Sequence, residues 1–152
     1  MPKDTASTES LLSQAKRLEE TYNWLEAVDT YNKALSNVSE HDSYTMGQIH
    51  ELSGYALHKA AMQAESPDEF KSRMKQAIEH YGKAKEHYQK AGGDKATPLA
   101  LRCDAMNAYL TYWLADDASE KRKQLHQSWD LTKESLRLFE AAENGKEYGR
   151  TF

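Results

Sequence analysis

The sequence predicts an all-α fold of six antiparallel helices arranged as three helical hairpins. Apolar residues recur with a four-then-three spacing, and no stretch alternates apolar and polar residues as a strand does. Only 7 glycines and 3 prolines occur among the 152 residues, and most of them stand between the apolar segments. Because the connections are short, successive helices are expected to run antiparallel.

Signals for helix starts and ends divide the chain into six predicted helices. The helices span about Thr8 to Thr21, Trp24 to Val38, Glu40 to Ala64, Pro67 to Ala91, Pro98 to Ala115 and Ala118 to Glu143. Start signals stand near Ser7 or Thr8, at Ser39 with Asp42, at Ser66-Pro67, at Thr97-Pro98 and at Asp117 with Glu120. Stop signals stand at Gly92-Gly93 and Asn144-Gly145.

Apolar stripes along these helices predict which sides pack together. The first two helices carry Leu11, Ala15, Leu18 and Tyr22, then Val28, Tyr31, Leu35 and Val38. The third helix is apolar on more than one side, so we expect it to be the most enclosed. The fourth carries an unbroken stripe of Phe70, Met74, Ala77, Tyr81, Ala84, Tyr88 and Ala91. The last two carry Leu99, Cys103, Met106, Leu110 and Trp113, then Leu125, Trp129, Thr132, Leu136 and Phe139.

Length and composition favour one domain over residues 8–144, between a disordered tail at 1–7 and a flexible tail at 145–152. The net charge of -4 lacks the basic excess that nucleic-acid binding requires. No run reaches the roughly 20 apolar residues of a membrane span, and the start resembles no secretory signal. We therefore expect a soluble, cytoplasmic protein without membrane or nucleic-acid partners. The single Cys103 is expected to be a buried apolar residue.

One tripeptide occurs twice in the fourth helix, as Glu79-His80-Tyr81 and Glu86-His87-Tyr88. Both tyrosines belong to the buried stripe, which places His80 and His87 on its flank. Seven helical residues separate the imidazoles by about 10 Å, too far for one metal ion unless another helix contributes. We interpret the duplication as a packing repeat flanked by exposed ion pairs, with no metal site.

A short signature of small and aromatic residues recurs along the chain. Its copies are Ala27, Tyr31 and Ala34; Ala77, Tyr81 and Ala84; and a degenerate Ser135, Phe139 and Ala142. This signature resembles the second helix of a tetratricopeptide repeat. Leu11 and Ala15 match packing positions of the family's first helix, Trp24 matches the aromatic before the second, and Gly54 matches a small-residue position.

The resemblance implies hairpins stacked into a right-handed superhelix whose concave face binds peptides or proteins. The spacing from Ala15 to Ala27 is 12 residues, whereas that from Gly54 to Ala77 is 23. About three helical turns are therefore added in the second hairpin. The third hairpin is longer again, so we expect a tetratricopeptide-like domain with elongated second and third hairpins.

Candidate partner-binding residues lie on the fifth helix. Some family members hold a carboxylate terminus with Lys and Asn, and Arg102 and Asn107 are candidates for a looser version of that clamp. Tyr109 and Tyr112 cannot both join the stripe that contains Trp113, so at least one should be exposed as a recognition anchor. The alternatives are solvated polar side chains and an aromatic lid over the seam between hairpins.

A basic run opens the sixth helix, where Lys121, Arg122 and Lys123 oppose the helix dipole. An acidic partner or a phosphate would explain the run, and so would a solvated face near Asp116 and Asp117.

Taken together, these features favour a non-catalytic module that binds a protein segment through the face built from the first, third and fifth helices. The alternative is a structural or regulatory bundle whose outer stripes self-associate. An enzyme is disfavoured, because the sequence contains no nucleotide loop, nucleophile elbow or metal-ligand cluster. No cofactor is expected.

Overall fold

A computed structural model describes the backbone of residues 7–151 and the side chains of residues 7–143. Within this range the chain forms six α-helices and no strand, which confirms the predicted all-α class. The helices are α1 (Thr8–Glu20), α2 (Trp24–Asn37), α3 (Ser43–Met62), α4 (Pro67–Ala91), α5 (Gly93–Leu114) and α6 (Ala118–Thr151). The predicted tail at 1–7 lies, apart from Ser7, outside the described residues.

Side-chain caps begin four of the helices. The oxygens of Ser7, Asp42, Ser66 and Asp117 each accept a hydrogen bond from the backbone N–H three residues later, at 3.1 to 3.2 Å. Such bonds satisfy N–H groups that the first helical turn leaves unpaired. The predicted starts near Ser7, at Ser66 and at Asp117 are confirmed, whereas α3 begins at Ser43 behind the Asp42 cap, three residues after the predicted start at Glu40.

The fifth helix starts earlier than the sequence predicted. It begins at Gly93 directly after Gly92, and both glycines have positive φ angles, of 89° and 66°. Pro98 therefore lies inside α5 rather than at its start. Thr97 does not cap the helix, since its hydroxyl donates to the Gly93 carbonyl at 3.0 Å. The early start buries Ala96, and Pro98, which has no N–H to donate within the helix, is buried as well.

The sixth helix extends beyond its predicted end at Glu143. Its backbone stays helical through Asn144 and Gly145 to Thr151, so the stop signal at these two residues does not act. A glycine inside a helix costs about 1 kcal/mol relative to alanine, which a long helix tolerates.

The centre of the core is the antiparallel pair α3 and α4. Gly47 faces the ring of Tyr88, and Gly54 faces the ring of Tyr81; a Cβ atom on either glycine would lie 2.8 Å from that ring. The two helices can approach this closely only because both positions lack a side chain. The seven-residue spacing of the glycines matches that of the tyrosines, so the sequence specifies the register.

The remaining helices pack mainly against their neighbours in the chain. Between α1 and α2, the Tyr31 hydroxyl donates to Glu19 at 2.8 Å. Between α5 and α6, Ser135 donates to the Pro98 carbonyl at 2.8 Å. The signature residues Ala27, Tyr31, Ala77 and Tyr81 are buried, as predicted.

Some residues of the predicted stripes are exposed instead. Tyr22 follows the end of α1 and has a φ of 63°, so it leaves the helical stripe. Trp113 and the α6 residues Leu125, Trp129 and Leu136 also face solvent. The side of α6 that packs against α5 is the one next to this stripe, and it carries Ser128 and Ser135. Within the described range, no helix has the length and apolar character needed to cross a bilayer.

A candidate binding cleft between α3 and α5

An open cleft separates α3 from α5, which run parallel. Two contacts show that the helices are parallel. Glu51 contacts Arg102, and His58, seven residues further along α3, contacts Tyr109, seven residues further along α5. The cleft has a volume of about 430 Å³. Its apolar walls are formed by Tyr44, Leu52 and Tyr55 of α3 and by Leu99 and Met106 of α5.

The floor of the cleft consists of Tyr81 and Tyr88 from α4. Both rings are buried and held against the glycines of α3. Their packing leaves little freedom to move, so the floor is preformed. A concave apolar surface with few polar groups is the usual form of a binding site.

A polar network crosses the cleft at its centre. Arg102 donates from Nε to Glu51 Oε2 at 2.6 Å and from Nη2 to Oε1 at 2.8 Å, and the Tyr88 hydroxyl also donates to Oε1 at 2.8 Å. Burial and the adjacent Glu51 carboxylate raise the pKa of Tyr88, so the hydroxyl remains a donor. The guanidinium also lies 5.8 Å from the ring of Phe139 on α6. Glu51 thus holds Arg102 in a fixed position on the wall.

The predicted carboxylate clamp is not assembled. Arg102 lines the cleft, but the Asn107 amide lies against Gly82 of α4, on a different side of α5. The Asn107 Oδ1 atom is buried and has no hydrogen-bond partner among the described residues. Arg102 and Asn107 therefore do not converge on one ligand position.

The other predicted residues gather where α5 ends and α6 begins. Tyr109 and Tyr112 stack at 6.4 Å, and the exposed Trp113 meets their rings edge-on at 6.2 and 5.6 Å. Lys121 Nζ lies 5.8 Å from the centre of the Tyr112 ring. Tyr109 and Tyr112 are both half-buried, whereas Arg122 and Lys123 of the basic run are exposed.

Three histidines form a cluster at the α3–α4 interface that the sequence analysis did not predict. His50 of α3 is buried, its Nδ1 lies 3.0 Å from Nδ1 of His80, and its ring stacks on His87 with centres 5.4 Å apart. Burial, then the neighbouring imidazoles and Lys83, lower the pKa of His50 to about 4. Burial also lowers the pKa of His80 and of His87.

The duplicated tripeptide therefore does more than mark a packing repeat, since it supplies two imidazoles to this interface. Of the exposed ion pairs predicted on this flank, the pair of Lys83 and Glu79 is present, with its charged atoms 3.5 Å apart. Across the residues with described side chains, no group of three or more His, Cys, Asp or Glu is arranged to hold a metal ion. Cys103 is fully buried, and burial raises the pKa of its thiol.

The sequence contained a signal for the cleft in the third helix. Because that helix is apolar on more than one side, it was predicted to be the most enclosed. One side packs against α4, and another forms the cleft wall of Tyr44, Leu52 and Tyr55. Glu51 gave no signal, because its partner Arg102 lies 51 residues away on a helix whose placement the local pattern does not specify.

Comparisons with protein-family models, with curated proteins and with solved structures find no match. The class defined by the fold and the site is an all-helical protein with an open, largely apolar cleft.

Proposed function

We propose that the chain is a non-catalytic, cytoplasmic interaction module of the tetratricopeptide-like kind, and that it binds a protein segment in the cleft between α3 and α5. The observation that carries this proposal is the preformed cleft itself, with apolar walls, a rigid tyrosine floor and one fixed ion pair. A groove of this kind accepts apolar side chains of a peptide while polar groups fix its register.

The arrangement of helices supports the tetratricopeptide-like part of the proposal. The α3–α4 and α5–α6 pairs are antiparallel, and α3 runs parallel to α5. In stacked hairpins the first helices of successive repeats lie parallel and form the inner face. We infer that α1, α3 and α5 form this concave face in a right-handed array.

The occupant of the cleft is best described by the chemistry of its walls. Tyr44, Leu52, Leu99 and Met106 favour branched or aromatic peptide side chains, and Met106 adapts its shape to either. Arg102 already has a carboxylate partner, so the segment need not be acidic. We expect a segment whose central apolar residue is flanked by polar ones that reach Gln48 and Tyr55 on the rim.

A displayed library of random peptides, selected on the purified protein, tests this proposal. Peptides that recognise the cleft should bind at least about tenfold more weakly to Leu52→Glu, because that change buries a charge beneath the ligand. Met62→Glu is the matched control, since Met62 is exposed on the same helix and does not line the cleft.

Circular dichroism and thermal unfolding establish that both variants fold. Selected peptides that lose affinity for Leu52→Glu and retain it for Met62→Glu support the proposal. A selection that yields no binders, or binders indifferent to Leu52→Glu, contradicts it.

A further inference from the structure

An apolar stripe on α6 is left uncovered. Leu125, Trp129 and Leu136 are 48%, 63% and 55% exposed, although they share one side of the helix. Lys133 covers part of the stripe, with Nζ 5.4 Å from the centre of the Trp129 ring. Contiguous exposed apolar residues of this kind mark interaction surfaces more often than isolated ones do.

The internal repeat shows what normally covers this position. Aligning Ala27, Ala77 and Ser135 places Leu136 at the position of Val28 in α2 and Ile78 in α4. Val28 is buried and Ile78 partly buried, and both α2 and α4 pack against the helix that follows them. Among the described helices α6 is the last, and it packs mainly against α5. Its stripe is therefore the surface on which a further helix would lie.

Trp129 and Leu136 of the stripe belong to a seven-residue series that is complementary to its own reverse; Leu125 lies outside this series. Arg122, Trp129, Leu136 and Glu143 stand seven residues apart on one side of the helix. Reversal about the midpoint between residues 132 and 133 exchanges Arg122 with Glu143 and Trp129 with Leu136. Two antiparallel copies of α6 would thus place a guanidinium opposite a carboxylate at each end and Trp against Leu between them.

Charge distribution along α6 favours the same pairing. The basic run of Lys121, Arg122 and Lys123 begins the helix, whereas Glu140 and Glu143 lie near the end of its described side chains. Cations at a helix N-terminus oppose the macrodipole, and Glu140 and Glu143 of an antiparallel partner would offset that cost. On the opposite end of the protein, α1 exposes Lys16, Arg17 and Glu20.

We propose that α6 binds α6 of a second copy of this chain, antiparallel and about a two-fold axis near residues 132 and 133. Such an isologous contact closes on itself and limits the assembly to a dimer. The two ion pairs at its ends would lie about 32 Å apart along the helix axis. The cleft between α3 and α5 remains open, so this dimer is independent of the proposed peptide binding.

Sedimentation velocity over a range of concentrations tests the contact. The wild type should show a concentration-dependent dimer, and Trp129→Glu should weaken dimerisation at least about tenfold, because it places like charges at the centre of the seam. Met62→Glu is the control, since Met62 is also exposed but lies on α3. Wild-type protein that stays monomeric to about 0.5 mM, in the concentration range where weak pairs associate, overturns the proposal.

A charge exchange tests the register. Arg122→Glu and Glu143→Arg should each weaken the dimer, and the double variant should restore it, because opposite charges then face each other again. Lys123→Glu lies about 100° further round the helix and should have little effect. A double variant no tighter than either single variant overturns the antiparallel register.

Single cysteines distinguish the antiparallel from the parallel arrangement. Lys133→Cys, beside the proposed axis, should form an intermolecular disulfide under mild oxidation, whereas His126→Cys should not, because the two copies of residue 126 would lie about 20 Å apart. The native Cys103 is buried and should therefore not form intermolecular disulfides in this assay. Equal cross-linking at both positions supports a parallel pair and overturns the proposal.

Discussion

At the scale of single residues, two glycines fix the centre of the protein. Gly47 and Gly54 allow the rings of Tyr88 and Tyr81 to lie directly on the backbone of α3. The same tyrosines form the floor of the cleft. The side chain that α3 lacks at these positions therefore determines both the helix register and the shape of the candidate site.

This close contact makes the effect of adding one methyl group predictable. Gly54→Ala should destabilise the protein by about 1–3 kcal/mol, because its Cβ would lie 2.8 Å from the buried Tyr81 ring. Gly82→Ala is the matched control: Gly82 is also mid-helix, but its nearest side-chain neighbour, Asn107, is 4.0 Å from the added Cβ.

Since Gly82 has room for a methyl group, Gly82→Ala should stabilise the protein by about 0.5–1 kcal/mol through helix propensity alone. Urea denaturation followed by circular dichroism measures both changes. Equal effects of the two substitutions would contradict the close packing at Gly54.

At the scale of elements, the α3–α4 interface carries three imidazoles whose titration is linked to folding. The pKa of His50 is about 4 in the folded protein, below its ordinary value of 6.5. Between these two values the unfolded chain binds a proton that the folded protein does not. Stability should therefore be full above pH 6.5 and fall as the pH drops toward 4.

Replacing His50 tests this linkage. From pH 7.5 to pH 5 the wild type should lose on the order of 1–2 kcal/mol more unfolding free energy than His50→Gln, with His80 and His87 accounting for part of the remaining loss. Denaturant titrations at the two pH values measure the difference. The exposed His41→Gln should behave as the wild type; a His50→Gln variant with undiminished pH dependence would show that other groups control the acid response.

The elements also show how far sequence reasoning reaches. Helix starts at Ser66 and Asp117 and the buried Ala-x3-Tyr signature were predictable, because caps and side-chain periodicity are local properties. The early start of α5 was not, since Thr97 and Pro98 carry the local signals of a helix start, whereas the helix begins at Gly93.

The site was predictable only in part, for a related reason. Arg102 was identified from its own helix, but Glu51, which orients it, and His50, which joins His80 and His87, both lie on α3. Their partners are defined by the lateral placement of helices, and neither spacing nor composition specifies that placement. Trp129 and Leu136 were predicted to pack against a neighbouring helix but are exposed. The sequence pattern of an apolar stripe is the same whether or not another helix covers it.

At the scale of the whole molecule, the order of helices in space follows their order in the chain. Among the described helices, α2, α3, α4 and α5 each pack closely against a helix on both sides, whereas α1 packs mainly on α2 and α6 mainly on α5. Contacts between chain neighbours are predominantly local, a property associated with rapid folding. Local opening should also be easier at the ends of such an arrangement than in its middle.

Hydrogen exchange read by mass spectrometry tests this expectation. Amides in the middle of α3 and α4 should exchange slowest, and those of α1 should exchange at least about tenfold faster, because opening α1 disrupts only one helix–helix interface. Uniform protection across α1, α3 and α4 would show instead that the protein opens as one cooperative unit.

The neighbour-to-neighbour packing has a mechanical consequence. Tension applied between the two ends of the chain would load α1 and α6 first, and each could peel from its single neighbour while the α3–α4 pair stayed intact. The protein should then extend under force in several small steps, with the glycine–tyrosine contacts between α3 and α4 the last to yield.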